Sequence, residues 1–119
     1  MSEKIINILK TEALAMLALA VFIYYFIGAS WVLFFLLLLT PDLFMVGYFK
    51  NSKIGACIYN LGHMYVLPII LLGLFYLLHT PILLPISIIW IAHISMDRML
   101  GFGLKFDTNF KDTHLGKLK

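Results

Sequence analysis

Charge is what this sequence has least of. Asp, Glu, Lys and Arg make up 13% of its 119 residues, where a soluble domain carries about 25%. With 62% hydrophobic residues, the composition excludes an ordinary soluble domain and reads as a membrane protein. A single cysteine, Cys57, excludes a disulfide within the chain and any paired Cys-x-x-Cys chemistry. Gly-x-Ser-x-Gly, a phosphate-binding glycine loop and nucleic-acid motifs are also missing. Serine esterases and nucleotide hydrolases therefore leave the leading candidates.

What is present is uninterrupted apolar sequence. No Asp, Glu, Lys or Arg lies between Ala13 and Pro41, or between Ile54 and Met96. A bilayer core about 30 Å thick takes about 20 helical residues to cross. Each run, with its flanks, therefore holds two spans. Gly28-Ala29-Ser30 divides the first pair and His79-Thr80-Pro81 the second, because proline suits the first turn of a new helix. The N-terminal stretch is too long for a signal peptide, and its small residues precede its most hydrophobic part.

The predicted fold class is all-α: a four-transmembrane-helix bundle of two helical hairpins. The helices are expected at about 7–27, 31–49, 54–78 and 81–101, forming one domain over 1–101, with a basic tail over 102–119. Pro41 and Pro68 are expected to kink the second and third helices. All nine Lys and Arg fall at helix ends on one side, and the loops at 28–30 and 79–81 carry none. The positive-inside rule then makes both termini cytoplasmic in an inner, multi-pass membrane protein. Trp31 fits an aromatic belt, whereas Trp90 lies deep enough to pack between helices.

The scarce polar residues gather at one depth. With a rise of about 1.5 Å per residue, Asp42 lies about 12 Å from Lys50, and Asn60 and His63 about 10 and 15 Å from Lys53. Asp97 and His93 lie about 12 and 18 Å from Lys105. Asn60 and His63 are spaced to share a helix face, as are His93 and Asp97. Intramembrane ionisable groups face a bundle interior or a wet cavity. Asp42, His63, His93 and Asp97 are thus the candidate ligands of a divalent metal, Zn first, with Mn or Fe(II) as alternatives. Cys57 sits nearer the cytoplasm and stays outside this set. Asn60 is the candidate for orienting a ligand or substrate, and Arg98, with Lys105, for receiving an anionic head. The tail stretch "FKDTHLG" brings Asp112 and His114 within reach of the mouth, Asp112 as a lid residue or extra ligand. Asn60, Arg98, Asp112 and His114 complete the candidate catalytic set. Glu12 either pairs locally or lines that mouth, and His79 reads as a surface histidine.

Each residue also has a plainer reading. His63 and His93 are hydrogen-bonded packing residues, Asp42 after Pro41 caps a broken turn, Asp97 and Arg98 form an interfacial pair, Asn60 bonds between helices, and the whole layer is a polar interhelical network without a metal. The tail equally suits anionic headgroups.

The strings "PDLFMVGY", "YNLGH", "AHISMDRMLGFGLKF" and "FKDTHLG" occur in this order. On them the chain resembles the DUF4260 family of small bacterial integral membrane proteins, a domain of unknown function, over roughly residues 10–118. The resemblance singles out the polar layer, adds Gly47, Tyr48, Tyr59, Gly101, Gly103 and Lys105, and extends to Thr113, His114, Leu115 and Gly116. It implies no activity, substrate or cofactor. A looser similarity to membrane-embedded metal-dependent hydrolases, which also set His and Asp on several helices, orders the reaction classes by analogy. Hydrolysis of lipid-like substrates comes first. Proton- or cation-coupled transport by a homo-oligomer and a non-catalytic scaffold are the alternatives. The expected partners are the lipid bilayer and anionic lipid headgroups, with no nucleic acid.

Overall fold

The computed structural model describes residues 2–107 and 111–117. Helix α1 covers Glu3–Phe26, α2 Trp31–Leu37, a 3-10 helix Thr40–Phe49, α3 Ser52–His63, α4 Val66–Leu78 and α5 Leu83–Leu100. Two short strands, β1 (Asp112–Thr113) and β2 (Gly116–Lys117), pair antiparallel. Glu3–Phe26, Trp31–Phe49 and Leu83–Leu100 are long and apolar enough to cross a membrane. Ser52–His63 and Val66–Leu78, bent by 41°, make a fourth span if the pair is one broken helix. Large apolar side chains such as Phe26, Leu36, Leu43, Phe49 and Leu77 stand outward, as a lipid-facing surface requires.

Three of the helices, α1, α2 and α3, start on polar caps. Side-chain oxygens of Ser2, Ser30 and Asn51 accept the backbone N–H groups of Ile5, Leu33 and Ile54. The two expected turns fall where the glycine and proline signals put them. Gly28 (φ 68) follows α1, and His79 (φ 55) closes α4 by donating its N–H to the Phe75 carbonyl.

The second and third predicted helices are each two pieces, not one kinked helix. A proline ring collides with the carbonyl four residues back. For Pro41 that carbonyl is Leu37, where α2 ends. Leu37 O takes the Thr40 hydroxyl instead, at 2.6 Å. Asp42 N–H then bonds three residues back, to Leu39 O at 3.1 Å, which is the 3-10 pattern. The Leu38 carbonyl is left outside the ladder. For Pro68 the carbonyl four back is Met64, whose backbone is extended (φ −112, ψ 157), so α3 ends at His63. The break therefore lies one turn before Pro68, and the proline sits in the first turn of α4, where its missing N–H costs nothing.

α5 is the centre of the bundle. Ser87, Ile88, Ile89, Ala92, His93, Ile94 and Ser95 are all buried. Tyr24 of α1 and Phe34 of α2 pack with Ile88, Ile89 and Ala92. Trp31 stacks against Tyr24 and Phe34. Trp90 packs, as expected, donating its indole N–H to Gly62 O at 2.7 Å. The 3-10 helix lies against α3 with almost no gap. A Cβ on Gly62 would come within 2.5 Å of the Phe44 ring, and one on Gly55 would enter the Tyr48 ring. Small residues at such a seam let helices close without a hydrophobic drive from lipid.

α5 ends in a Schellman turn. Gly101 (φ 96) donates to Arg98 O, and Phe102 N–H reaches Asp97 O at 2.7 Å. Lys10 of α1 lies beside Gly101, so the start of α1 and the end of α5 share one end of the bundle. A basic ammonium at a helix C-terminus also complements the helix dipole. The described part of the tail folds back on this end as a strap. Asn60 grips it from both sides, accepting Lys105 N–H at 2.7 Å and donating to Lys105 O at 2.9 Å. His114 N–H bonds Leu104 O, Phe106 N–H bonds Asp112 O, and Lys105 pairs with Thr113 in an antiparallel bridge. Thr113 and Leu115 are buried beneath it.

Candidate metal centre

The proline breaks build the site. His93, in the middle of α5, is fully buried and donates Nδ1–H to the Leu38 carbonyl at 2.6 Å. That carbonyl is available because the chain turns to 3-10 geometry just after it. His63 is the last residue of α3 and donates Nδ1–H to Tyr59 O at 2.8 Å. Its ring also stacks on Tyr59, with centroids 3.8 Å apart and planes 6° from parallel. A carbonyl only accepts, so Nδ1 carries the proton in both rings. In the neutral imidazoles, both Nε2 lone pairs are then free and directed at the site, the arrangement that metal-binding histidines use.

Four oxygen and nitrogen atoms converge there. The two Nε2 atoms stand 3.2 Å apart. Asp42 Oδ1, from the 3-10 helix, lies 3.2 Å from each of them. Asp97 Oδ2, one turn beyond His93 on α5, lies 3.4 Å from His63 Nε2 and 3.0 Å from His93 Nε2. All four lie within 4.8 Å of one another. Tetrahedral donors bonded at about 2.0–2.1 Å are about 3.3–3.4 Å apart. Five of the six separations, at 3.0–3.4 Å, lie at or a little under that spacing. Two carboxylates and two bare imidazole nitrogens packed this closely repel unless positive charge, a metal ion or protons on the imidazoles, lies among them. The four side chains could therefore hold a divalent ion. Access is one-sided: the Asp42 side chain is 36% exposed, against 13% for Asp97 and 3% for His63.

The other sequence candidates surround this set without joining it. Both polar ends of the Asn60 amide are occupied by Lys105 backbone, which makes it the anchor of the strap. Arg98 lies with its guanidinium 4.8 Å over the Tyr65 ring, and its Nη2 reaches His63 O at 3.4 Å. Asp112 takes part through its backbone carbonyl in β1, which accepts Phe106 N–H. His114 Nδ1 accepts Leu104 N–H at 2.8 Å. Among the described residues, no other group of three His, Cys, Asp or Glu side chains comes together in this way.

Sequence reasoning missed the carbonyls of Leu38 and Tyr59, which orient the histidines, and the depth of Lys105. Pro41, three residues past Leu38, was the available signal for that carbonyl. Lys105 is 5% exposed, and its ammonium lies 5.0 Å from the Tyr59 ring centroid. Burial pushes its pKa below the ordinary lysine value, partly offset by the Asp97 charge.

Burial and the nearby Arg98 charge likewise hold the His114 imidazole below its ordinary value. A histidine whose folded pKa is depressed contributes stability above the unfolded value, and that contribution is lost as pH falls below about 6.5. Protonated Nδ1 no longer accepts Leu104 N–H, so the strap is expected to loosen on acidification. Protection of the Leu104 amide from hydrogen exchange, corrected for intrinsic rate, should fall about tenfold, the cost of roughly one hydrogen bond. An equal fall in His114→Gln would refute this assignment.

The family model of a domain of unknown function (DUF4260) matches residues 6–118 of the chain. No curated protein and no solved structure matches it.

Proposed function

Since the chain belongs to the DUF4260 family, a domain of unknown function, its role has to come from the site, and we propose a membrane-embedded, metal-dependent hydrolase of lipid-like substrates. One observation carries this reading: four acceptor atoms from the 3-10 helix, α3 and α5 face one another within 4.8 Å, with both histidine Nδ1 atoms already committed to carbonyls. Asp42, His63, His93 and Asp97 hold the ion, Zn in the first instance. Bound there, it supplies a Lewis acid that brings the pKa of a water toward about 7 and polarises an ester or phosphate oxygen.

The chain's own residues do the rest. Asp42 is the donor on the accessible side, and an apolar groove of about 630 Å³ formed by Leu43, Met45, Val46, Tyr48 and Phe49 opens beside it. Ligand sites are typically mostly apolar hollows of about 300–1,000 Å³ with few polar groups. The groove accommodates the apolar part of an amphiphile and brings its polar junction to Asp42. Buried Lys105 places a positive charge near Asp97. Asn60, His114 and Asp112 act through the strap, and Arg98 acts through the His63 carbonyl, as positioning residues. Following the distribution of Lys and Arg, the strap end faces the cytoplasm.

The test is hydrolysis in mixed micelles of ester- and phosphodiester-bearing lipids, read by mass spectrometry of the products. Turnover is expected to need added Zn, Mn or Fe(II), and to fall at least about 100-fold in Asp42→Asn, given that even an outer-shell change costs 10–100-fold. A stoichiometric bound ion with no turnover of any lipid class would contradict the hydrolase while leaving the metal centre standing.

A further inference from the structure

Two hollows lie end to end along the seam between α1 and α5. The first, about 130 Å³, sits at the strap end, where Glu12, Tyr65, Arg98 and His114 meet apolar Ala13 and Met16. The second, about 210 Å³, is apolar throughout and runs on between Met16, Leu19 and Ile23 of α1 and Ile88 and Ile91 of α5. Met16 lines both. The α1 positions step by three and four residues from 9 to 23, which makes them one continuous helix face. None of the four metal donors lines either hollow.

The polar hollow is a matched pair of unlike charges. Arg98 lies over the Tyr65 ring, its Cζ 4.8 Å from the centroid, yet its Nε–H is buried with no hydrogen-bond partner. A buried donor left unmade is costly, and an anion is the natural acceptor for it. His114 adds a second donor: with Nδ1 accepting Leu104 N–H, the neutral ring carries its proton on Nε2. Glu12 is an exposed carboxylate in the same hollow, and it forms no ion pair with Arg98 among the described residues. A simple anion would satisfy Arg98 but face Glu12. A group that carries phosphate and ammonium together satisfies both.

We propose that this seam binds one phospholipid with a phosphate-and-amine headgroup of the ethanolamine type, separate from the metal centre. The phosphate lies beside Arg98 and His114, the ammonium beside Glu12, and an acyl chain follows the Met16–Ile23 stripe into the apolar hollow. Polar head and apolar chain are thus recognised in the order in which a lipid presents them at a membrane end.

Native mass spectrometry of the full chain in mild detergent tests this, with phosphatidylethanolamine, phosphatidylglycerol and soluble O-phosphoethanolamine as probes. The wild type should retain one phosphatidylethanolamine in preference to phosphatidylglycerol, and millimolar O-phosphoethanolamine should not displace it. Glu12→Gln should bring the two lipids to equal retention, a loss of about threefold to fivefold in preference. Arg98→Gln should lower retention of both by at least about tenfold. Glu12 is exposed, so its variant is informative even if Arg98→Gln fails to fold. Retained preference in Glu12→Gln, or displacement by the soluble headgroup, overturns the site. The readout is lipid retention with and without added metal, so it stands or falls apart from the metal centre.

Discussion

His93→Ala is expected to lower metal affinity by more than about 100-fold, beyond the 10–100-fold cost of losing an outer-shell partner, and to abolish any metal-dependent turnover. The residue is fully buried and supplies one of the four atoms that converge. Its loss also strips the Leu38 carbonyl of its donor, which costs about 1–3 kcal/mol of stability when nothing replaces it. Two readouts are therefore separable. The metal-to-protein ratio after gel filtration reports the ion, and thermal unfolding of the metal-free protein in detergent reports the carbonyl. If the cluster were held by protons alone, as imidazolium–carboxylate pairs, the variant would lose stability and no ion would be found in the wild type either. A variant that keeps one tightly bound ion would show that the donors are wrongly assigned.

Gly62→Leu is expected to empty the site without touching a ligand. Gly62 lies one residue before His63, and its missing side chain is the space occupied by the Phe44 ring. Phe44 is two residues past Asp42 on the 3-10 helix. A leucine pushes this helix off α3 and carries Asp42 away from His63. Overpacking costs about 1–3 kcal/mol, and loss of one donor should weaken the ion by more than about tenfold. Gly73→Leu is the control, because a Cβ there meets nothing within 4 Å and Gly73 is exposed, so it should change neither property. Equal metal content in Gly62→Leu and Gly73→Leu would mean that the close seam does not position Asp42.

The gathering of these four side chains was legible in the sequence for a physical reason. Charge inside a membrane is too costly to be scattered, so Asp42, His63, His93 and Asp97 stood out against apolar neighbours, and helical spacing paired His93 with Asp97. The turns at 28–30 and 79–81 were equally open to reading, since glycine and proline leave few backbone choices. The breaks at Leu38 and Met64 were less so. A proline inside an apolar run signals a bend, but its effect lies one turn upstream, at the carbonyl it excludes. The Leu38 carbonyl, left over where the ladder turns to 3-10 geometry, finds its partner in His93, 55 residues away, which leaves no local trace. Asn60 shows the same limit. Its depth and face matched the polar layer, yet its amide serves Lys105, 45 residues on, because a tail's return path is set by packing. Lys105 read as a headgroup-level charge and is instead buried, with its ammonium over the Tyr59 ring.

X-ray absorption spectroscopy of the full chain, purified in mild detergent and reconstituted with Zn, examines the centre most directly. The expected spectrum shows one ion per chain in a shell of nitrogen and oxygen donors at about 2.0–2.2 Å, with the outer-ring scattering of two imidazoles. An ion without imidazole scattering, or protein that retains no ion after the excess is removed, would contradict a metal centre at Asp42, His63, His93 and Asp97.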